Sequence, residues 1–387
     1  MIEVNGREIV YLDNAATSLP KPVVVFQAVM EALSRAGNPG RSGHFLSLES
    51  MRDIFEAREA ISRLIQSRES KRVILTGNAT WALNMALKGS LAMGDHVIST
   101  VMEHNSVLRP LQVLSDRGVD VTLVEADITG RIDPADMERS IKVNTKMVAM
   151  VHASNVTGTI NDVMAVGNLC RERGILFLLD ASQTAGVLGI DVESMNIDLL
   201  ASSGHKALFG PQGTGFLYVG ERASLTPLIE GGTGSRSEKD RQPEFLPDML
   251  EAGTLNSPGF AGLRRGVEYV MHVGVEEILS HERKLLGILT EGLTGLERVR
   301  LYGPESVDDK VGLLLMNIEG LDPGEFSLAL DEEEGILGRG GLHCAPLAHR
   351  VLGTFPEGAV RLSFSVENTE DDALRAAAAV KKICSRH

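Results

Sequence analysis

Three polar side chains follow three apolar, strand-like runs: Asn155 after residues 147–152, Asp180 after 175–179, and Lys206 after Leu199-Leu-Ala. Ligands of open α/β sheets sit at the carboxyl ends of strands, so this amide, carboxylate and amine are placed to meet in one crevice. Taken alone, Asp180 and Lys206 fit an internal ion pair equally well. A fourth group offers thiolate chemistry. Cys344 lies in Gly338-Arg-Gly-Gly-Leu-His-Cys-Ala-Pro346, a loop by its glycines and proline, with His343 adjacent and Arg339 near, a setting that lowers a thiol pKa. Cys170 and Cys384 instead fall on apolar helical faces, where cysteine packs as a small hydrophobe.

The elements that must position these groups alternate. Residues 73–76, 96–100 and 119–124 read as short β-branched strands, and 82–87 as the start of a helix. The runs 147–152 and 175–179 are continuously apolar, as expected of strands covered on both faces. Between them Val163, Val166 and Cys170 share a helical face, and Gly174 provides the stop. This βαβ rhythm predicts a largely parallel α/β sheet. After about Pro258 the rhythm changes to helices, strands at 312–317 and 360–364, and a closing helix. Thr369 caps that helix, acids fill its first turn, and Lys381, Lys382 and Arg386 sit near its end. A smaller α+β domain is expected there.

The chain has 387 residues, enough for two or three domains. With 43% hydrophobic and 23% charged residues it reads as ordinary globular protein. A net charge of −14 argues against nucleic-acid binding. Three cysteines cannot build a disulfide framework, which points to a reducing compartment. The first residues lack the apolar core of a signal peptide, and the best candidate for a membrane span is cut by Asp180. A cytoplasmic protein that binds no membrane is the expectation.

The run Asp198-Leu-Leu-Ala-Ser-Ser-Gly-His-Lys206, with Gly213-Thr-Gly215, resembles the pyridoxal-phosphate lysine signature of the class V aminotransferases. Further pieces follow in that family's order: Tyr11-Leu-Asp-Asn-Ala-Ala-Thr17, Glu103-His-Asn105, Leu179-Asp-Ala-Ser-Gln183, Glu251-Ala-Gly-Thr254, Cys344, and Arg361 with Asn368-Thr369. The chain is similar to the cysteine desulfurases, most of all to the group II (Suf-type) members with their His-Cys-Ala motif. Leu342 stands where that group usually has a second histidine, and Ala345-Pro-Leu-Ala-His349 differs from its usual tail.

The resemblance implies the fold type I of pyridoxal 5'-phosphate (PLP)-dependent transferases. Residues 14–258 would form a large domain around a mostly parallel, seven-stranded sheet, and 1–13 with 259–387 a small α+β domain. PLP would be the cofactor, with no metal. Lys206 would capture its aldehyde, since an aldehyde needs an amine. Asp180 would keep the pyridine nitrogen protonated, Gln183 would bond the phenolic oxygen, and His104 would stack on the ring and exchange substrate protons; a satisfied core histidine is its plainer reading. Thr76-Gly-Asn-Ala-Thr80 leads into a helix, so free N–H groups there suit the phosphate. The resemblance assigns Ala79, Thr80, Ser203 and His205 to it, and Thr254 to the phosphate of the other subunit in a homodimer. Asn78-Ala-Thr-Trp81 replaces the commoner Gly-Thr-Thr-Glu, leaving only a backbone donor at Ala79. Arg361 would grip the substrate α-carboxylate, assisted by Asn155, which otherwise serves the ring oxygen. Asn38-Pro-Gly-Arg-Ser-Gly-His44 resembles a rim of the site.

The implied reaction is specific. L-Cysteine displaces Lys206, the freed amine removes the Cα proton, and Cys344 thiolate takes the substrate sulfur as a persulfide. L-Alanine leaves, and a small thiol or an acceptor protein collects the sulfur, with iron–sulfur cluster assembly as the setting. A selenocysteine lyase, a cysteine sulfinate desulfinase or another class V enzyme shares the same residues, and a non-catalytic sulfur-trafficking partner is the reading outside enzymes. A nicotinamide dehydrogenase lacks its Gly-x-Gly-x-x-Gly here.

Overall fold

The computed structural model describes residues 2–4, 6–39 and 43–386. The chain opens with β1 (Ile2–Val4) and β2 (Arg7–Tyr11), then two helices, α1 (Val23–Ser34) and α2 (Phe45–Leu64). An alternating series follows: β3 (Val73–Thr76), α3 (Ala79–Ser90), β4 (His96–Thr100), α4 (Asn105–Ser115), β5 (Asp120–Val124), α5 (Pro134–Arg139), β6 (Thr145–Val151), α6 (Val163–Arg173) and β7 (Leu176–Asp180). Strands β8 (Leu199–Ser203) and β9 (Gly215–Val219) complete that part. Then come α7 (Ser257–Val273), α8 (Val275–Leu293), β10 (Val299–Tyr302), β11 (Leu313–Ile318), α9 (Pro323–Glu334), β12 (Ile336–Leu337), β13 (Arg339–Gly341), α10 (Pro346–Val351), β14 (Ala359–Ser363) and α11 (Glu370–Cys384).

Seven strands form one sheet in the order β3-β9-β8-β7-β6-β4-β5. The sheet is mixed: β9 runs antiparallel to both β3 and β8, while the other neighbours are parallel. Strand β9 has no counterpart in the sequence reading, because its glycines read as part of a loop motif. Gly215 shows why a glycine starts it: a Cβ there would come within 2.7 Å of the Asn78 carbonyl carbon. That close approach seats β9 against the turn between β3 and α3. Both faces of the sheet are covered. Leu75, Val148, Phe177, Leu179 and Phe216 belong to the core on one side, and Ile74, Met147, Ala149, Leu178 and Leu217 to the core on the other. This explains the unbroken apolar runs.

Helix α7 packs on α1 and α2. Beyond it, a four-stranded antiparallel sheet, β10-β11-β14-β13, packs under α8, α9 and α11 around a separate core that includes Leu285, Leu314, Phe326 and Val380. Strand β2 pairs in parallel with β12, which ties the start of the chain to this unit. The closing helix carries the cap expected of it, extended to a full capping box between Thr369 and Asp372. Gly174 ends α6 in the left-handed region at φ 68°. Helix α3 begins at Ala79, three residues earlier than the apolar pattern indicates, so Ala79 and Thr80 are themselves its first turn. Among the described residues no helix is long and apolar enough to cross a membrane.

Candidate active site

Strand ends and one helix start meet where the sequence places them. The cavity at the carboxyl edge of the large sheet is lined by Ala79, Thr80, His104, Asn155, Asp180, Gln183, Ser203, His205, Lys206 and Arg361. Two expected residues lie elsewhere. Thr254 is exposed and outside the lining, and Cys344 borders an adjoining groove that shares His104, Thr80 and Ser106 with the cavity wall. Of the rim segment 38–44, residues 40–42 lie outside the described residues, and His44 caps α2 by accepting from Ser47 N.

Lys206 and Asp180 do not form the ion pair that was the plain alternative for them. Asp180 Oδ1 accepts from Ser182 N at 2.9 Å and Ser182 Oγ at 2.5 Å, which leaves Oδ2 for the cavity. The Lys206 amine makes no hydrogen bond or ion pair among the described residues. Burial lowers its pKa to about 8, with Arg361 and Arg339 adding to that effect and Asp180 opposing it. A substantial fraction is therefore neutral near physiological pH.

His104 is oriented by its own helix start. It caps α4, and its Nδ1 accepts from Ser106 N at 3.0 Å, so the neutral ring carries its proton on Nε2. Burial lowers its pKa to about 4, and Asp180 acts in the opposite direction. Ser106 Oγ also meets Thr80 Oγ1 at 2.6 Å, linking the histidine to the first turn of α3. Ser106 and Ser182 escaped the sequence reading. Each is two residues past a singled-out polar residue, at an Asx-like or capping spacing that could have flagged it.

Arg361 is 1% exposed and held from two sides. Its Nη1 donates to Asn155 O and its Nη2 to Asp13 Oδ1, both at 2.8 Å. Its Nε has no partner among the described residues. Asp13 was legible as part of a motif but not as this counter-ion. Asn155 Nδ2 donates to His343 O at 2.8 Å, and Gln183 Nε2 donates to Ala15 O at 3.0 Å. Glu251 explains its own place in the sequence: it binds Arg58 through both oxygens and accepts from Leu75 N at 2.7 Å. That anchors the stretch leading to Thr254 against β3.

The cysteine loop departs from the sequence expectation in one respect. His343 is buried and faces away from the thiol. Its Nε2 donates to Arg339 O at 2.9 Å, so its Nδ1 accepts from His349 Nε2 at 3.2 Å, and His349 Nδ1 in turn accepts from Thr354 Oγ1 at 2.7 Å. Burial drives the His343 pKa to about 2, so no imidazolium stands beside the sulfur. The cation there is Arg339, whose Nη2 lies 3.9 Å from Cys344 Sγ. His343 and Cys344 both have positive φ, 50° and 57°, an uncommon conformation for residues with a Cβ. Asn105 N, donating to Cys344 O at 2.8 Å, fastens the loop to the start of α4. Cys344 is exposed, whereas Cys170 and Cys384 are buried, and burial raises the Cys170 thiol to about 12.

Residues 10–375 match the family model described as Aminotransferase class-V. The chain is 36% identical to the probable cysteine desulfurase of Methanothermobacter thermautotrophicus and 37% identical to that of Pyrococcus abyssi, in each case over 95% of this chain and 92% of the relative. It belongs to the cysteine desulfurase family of class V aminotransferases. Among solved structures, the apo cysteine desulfurase from Thermococcus onnurineus is similar at a TM-score of 0.92 and 33% identity, covering 98% of this chain and 95% of that one. The Escherichia coli cysteine desulfurase CsdA gives 0.88 and 28%, with the same coverage. The cysteine desulfurase family is PLP-dependent. The residues present fit that cofactor on their own chemistry. Ser203 Oγ, His205 Nδ1 and Asn155 Oδ1 are buried polar atoms without partners among the described residues, and all three residues line one cavity beside a free amine and a helix N-terminus.

Proposed function

We propose that this chain is a PLP-dependent cysteine desulfurase that converts L-cysteine to L-alanine and carries the sulfur as a persulfide on Cys344. The observation that carries the reading is the adjacency of two nucleophiles. The free amine of Lys206 lines the cavity, and the exposed thiol of Cys344 borders the next groove, with His104 in the wall common to both.

In this reading Lys206 holds the cofactor aldehyde, Asp180 its ring nitrogen and Gln183 its phenolic oxygen. His104 covers the ring face. Ala79 and Thr80 at the start of α3, with Ser203 and His205, hold the phosphate, joined by Thr254 of a second copy. Bound there, PLP supplies a carbonyl for the substrate amine and an electron sink. The chain's own groups do the rest. Arg361 and Asn155 bind the α-carboxylate, the arginine through what Asp13 and the Asn155 carbonyl leave free. Lys206 takes the Cα proton on Nζ. His104, neutral, presents Nε2–H to the substrate. Cys344 Sγ attacks the substrate sulfur; an S–S bond forms as the Cβ–S bond breaks, and the electron pair remains with the carbon skeleton, which leaves protonated as L-alanine.

We further infer a cytoplasmic homodimer that supplies sulfur to a small thiol or protein acceptor, with iron–sulfur cluster assembly as the setting. Exposed Phe26 and Met30 on α1, and Phe45 and Phe55 on α2, are the apolar surface a second copy would cover. A sedimentation mass of a single chain would overturn that part.

Incubating the holoprotein with L-cysteine tests the chemistry. Alanine and a Cys344 persulfide should both be detected by mass spectrometry. Lys206→Ala should abolish alanine formation and the bound-cofactor absorbance. Cys344→Ala should keep the absorbance and lose persulfide. Full sulfide turnover by the Cys344 variant would sink the persulfide route.

A further inference from the structure

The groove beyond His104 has the exposed Cys344 in its wall. Its walls include Thr80, Asn84, Lys88, Arg109 and Val113, and among the described residues no acidic side chain lines it. The side chains of Lys88 and Arg109 form no ion pair or hydrogen bond among the described residues, and the Arg339 guanidinium has the cysteine sulfur as its only hydrogen-bond partner among them. Other surface cations do pair with acids, among them Lys142 with Asp120, Arg131 with Asp309 and Lys284 with Glu370. In a chain of net charge −14, a groove with two unmatched cations and no acid is a local reversal of sign. It encloses about 370 Å³, the scale of a small-molecule site rather than a protein interface.

We propose that this groove receives the sulfur acceptor, and that the acceptor is a small thiol carrying carboxylates. The inference rests on the reading of Cys344 as the sulfur carrier and adds the chemistry of what unloads it. Lys88 and Arg109 hold the carboxylates, which points the acceptor thiol at the part of the wall where Cys344 stands. The acceptor thiolate attacks the outer sulfur of Cys344–S–SH. A new S–S bond forms to the acceptor, the bond to Sγ breaks, and its electron pair stays on Sγ as thiolate. The proton remains on the transferred sulfur, so no oxidant or reductant is consumed. Arg339 faces the thiolate so regenerated.

Steady-state kinetics of the holoenzyme at saturating L-cysteine, with mercaptosuccinate, 2-mercaptoethanol or cysteamine as acceptor, test this. For mercaptosuccinate KM should be the lowest of the three and should climb with ionic strength. The double substitution Lys88→Gln with Arg109→Gln should raise that KM about tenfold and change the 2-mercaptoethanol KM less than about twofold. Arg109→Glu should raise it further and favour cysteamine. Equal effects on all three thiols, no effect on any, or unloading by protein thiols alone would overturn the proposal. A single turnover without acceptor separates the two readings. Alanine released there, with a flat response to acceptor charge, sinks only the acceptor proposal; no alanine from the wild type sinks the desulfurase reading and this proposal with it.

Discussion

Glu103 shows how one side chain sets conditions for its neighbours. It is fully buried beside His104. Its Oε1 accepts from Thr100 Oγ1 at 2.7 Å and Val151 N at 3.0 Å, and Oε2 has no partner among the described residues. Burial raises its pKa to about 8, and Asp180 adds to the shift. The folded state then keeps a proton that the unfolded chain gives up from about pH 4.5. Stability falls as pH rises from there, and the loss levels off above about 8, once the folded carboxyl ionises too. Glu103→Gln removes that titration. Thermal melts of the apoprotein should give nearly equal midpoints for variant and wild type at pH 5, with the variant pulling ahead by pH 8. Parallel curves across the range would contradict the assignment. Such residue-level chemistry was only half legible in the chain. Lys206, Asp180 and Cys344 declare themselves by type and surroundings, but the unmatched Glu103 oxygen, the Asp13 counter-ion and the inward turn of His343 depend on where side chains point. Spacing does not encode that.

At the scale of elements, the segment from Arg339 to Thr354, with β13, the cysteine turn and α10, is held by a one-way series of donors: Thr354 to His349, His349 to His343, His343 to the Arg339 carbonyl. Thr354→Val removes the first donor and leaves a buried ring nitrogen unsatisfied, at about 2 kcal/mol of stability. The same variant should alter the rate at which iodoacetamide alkylates Cys344, because the two positive-φ residues lose their backing. Thr354→Ser should restore both; a serine variant as impaired as the valine one would argue against the hydrogen bond. The sequence made the parallel strands and the closing helix readable, since both follow apolar period and capping. It hid β9, whose opposite direction is fixed by its partners β3 and β8 rather than by any local pattern.

The two sheets meet through a short stretch near the start of the chain. Asn14 Nδ2 donates to Ser363 O at 3.0 Å and Asn368 Oδ1 at 3.1 Å, Ala15 N donates to Ser363 Oγ at 2.9 Å, and Asp13 holds Arg361. Asp13→Asn weakens the one ion pair that an almost fully buried guanidinium makes among the described residues. It should cost about 2 kcal/mol in denaturant unfolding and raise KM for L-cysteine more than it lowers kcat, because the arginine loses its orientation. An unchanged KM would separate Asp13 from the substrate. This stretch also governs how the protein comes into being. Val10 and Tyr11 find their strand partners only at Ile336 and Leu337, and Asn14 finds its own at Ser363. Residues 7–9 pair at once with β1, but Val10 and Tyr11 must wait for more than three-quarters of the chain to leave the ribosome. Cys344 and Arg361 emerge in that same late portion, so a nascent chain holds Lys206, Asp180 and the turn before α3 long before it has the thiol proposed to take sulfur. Truncated products would lack the proposed sulfur carrier.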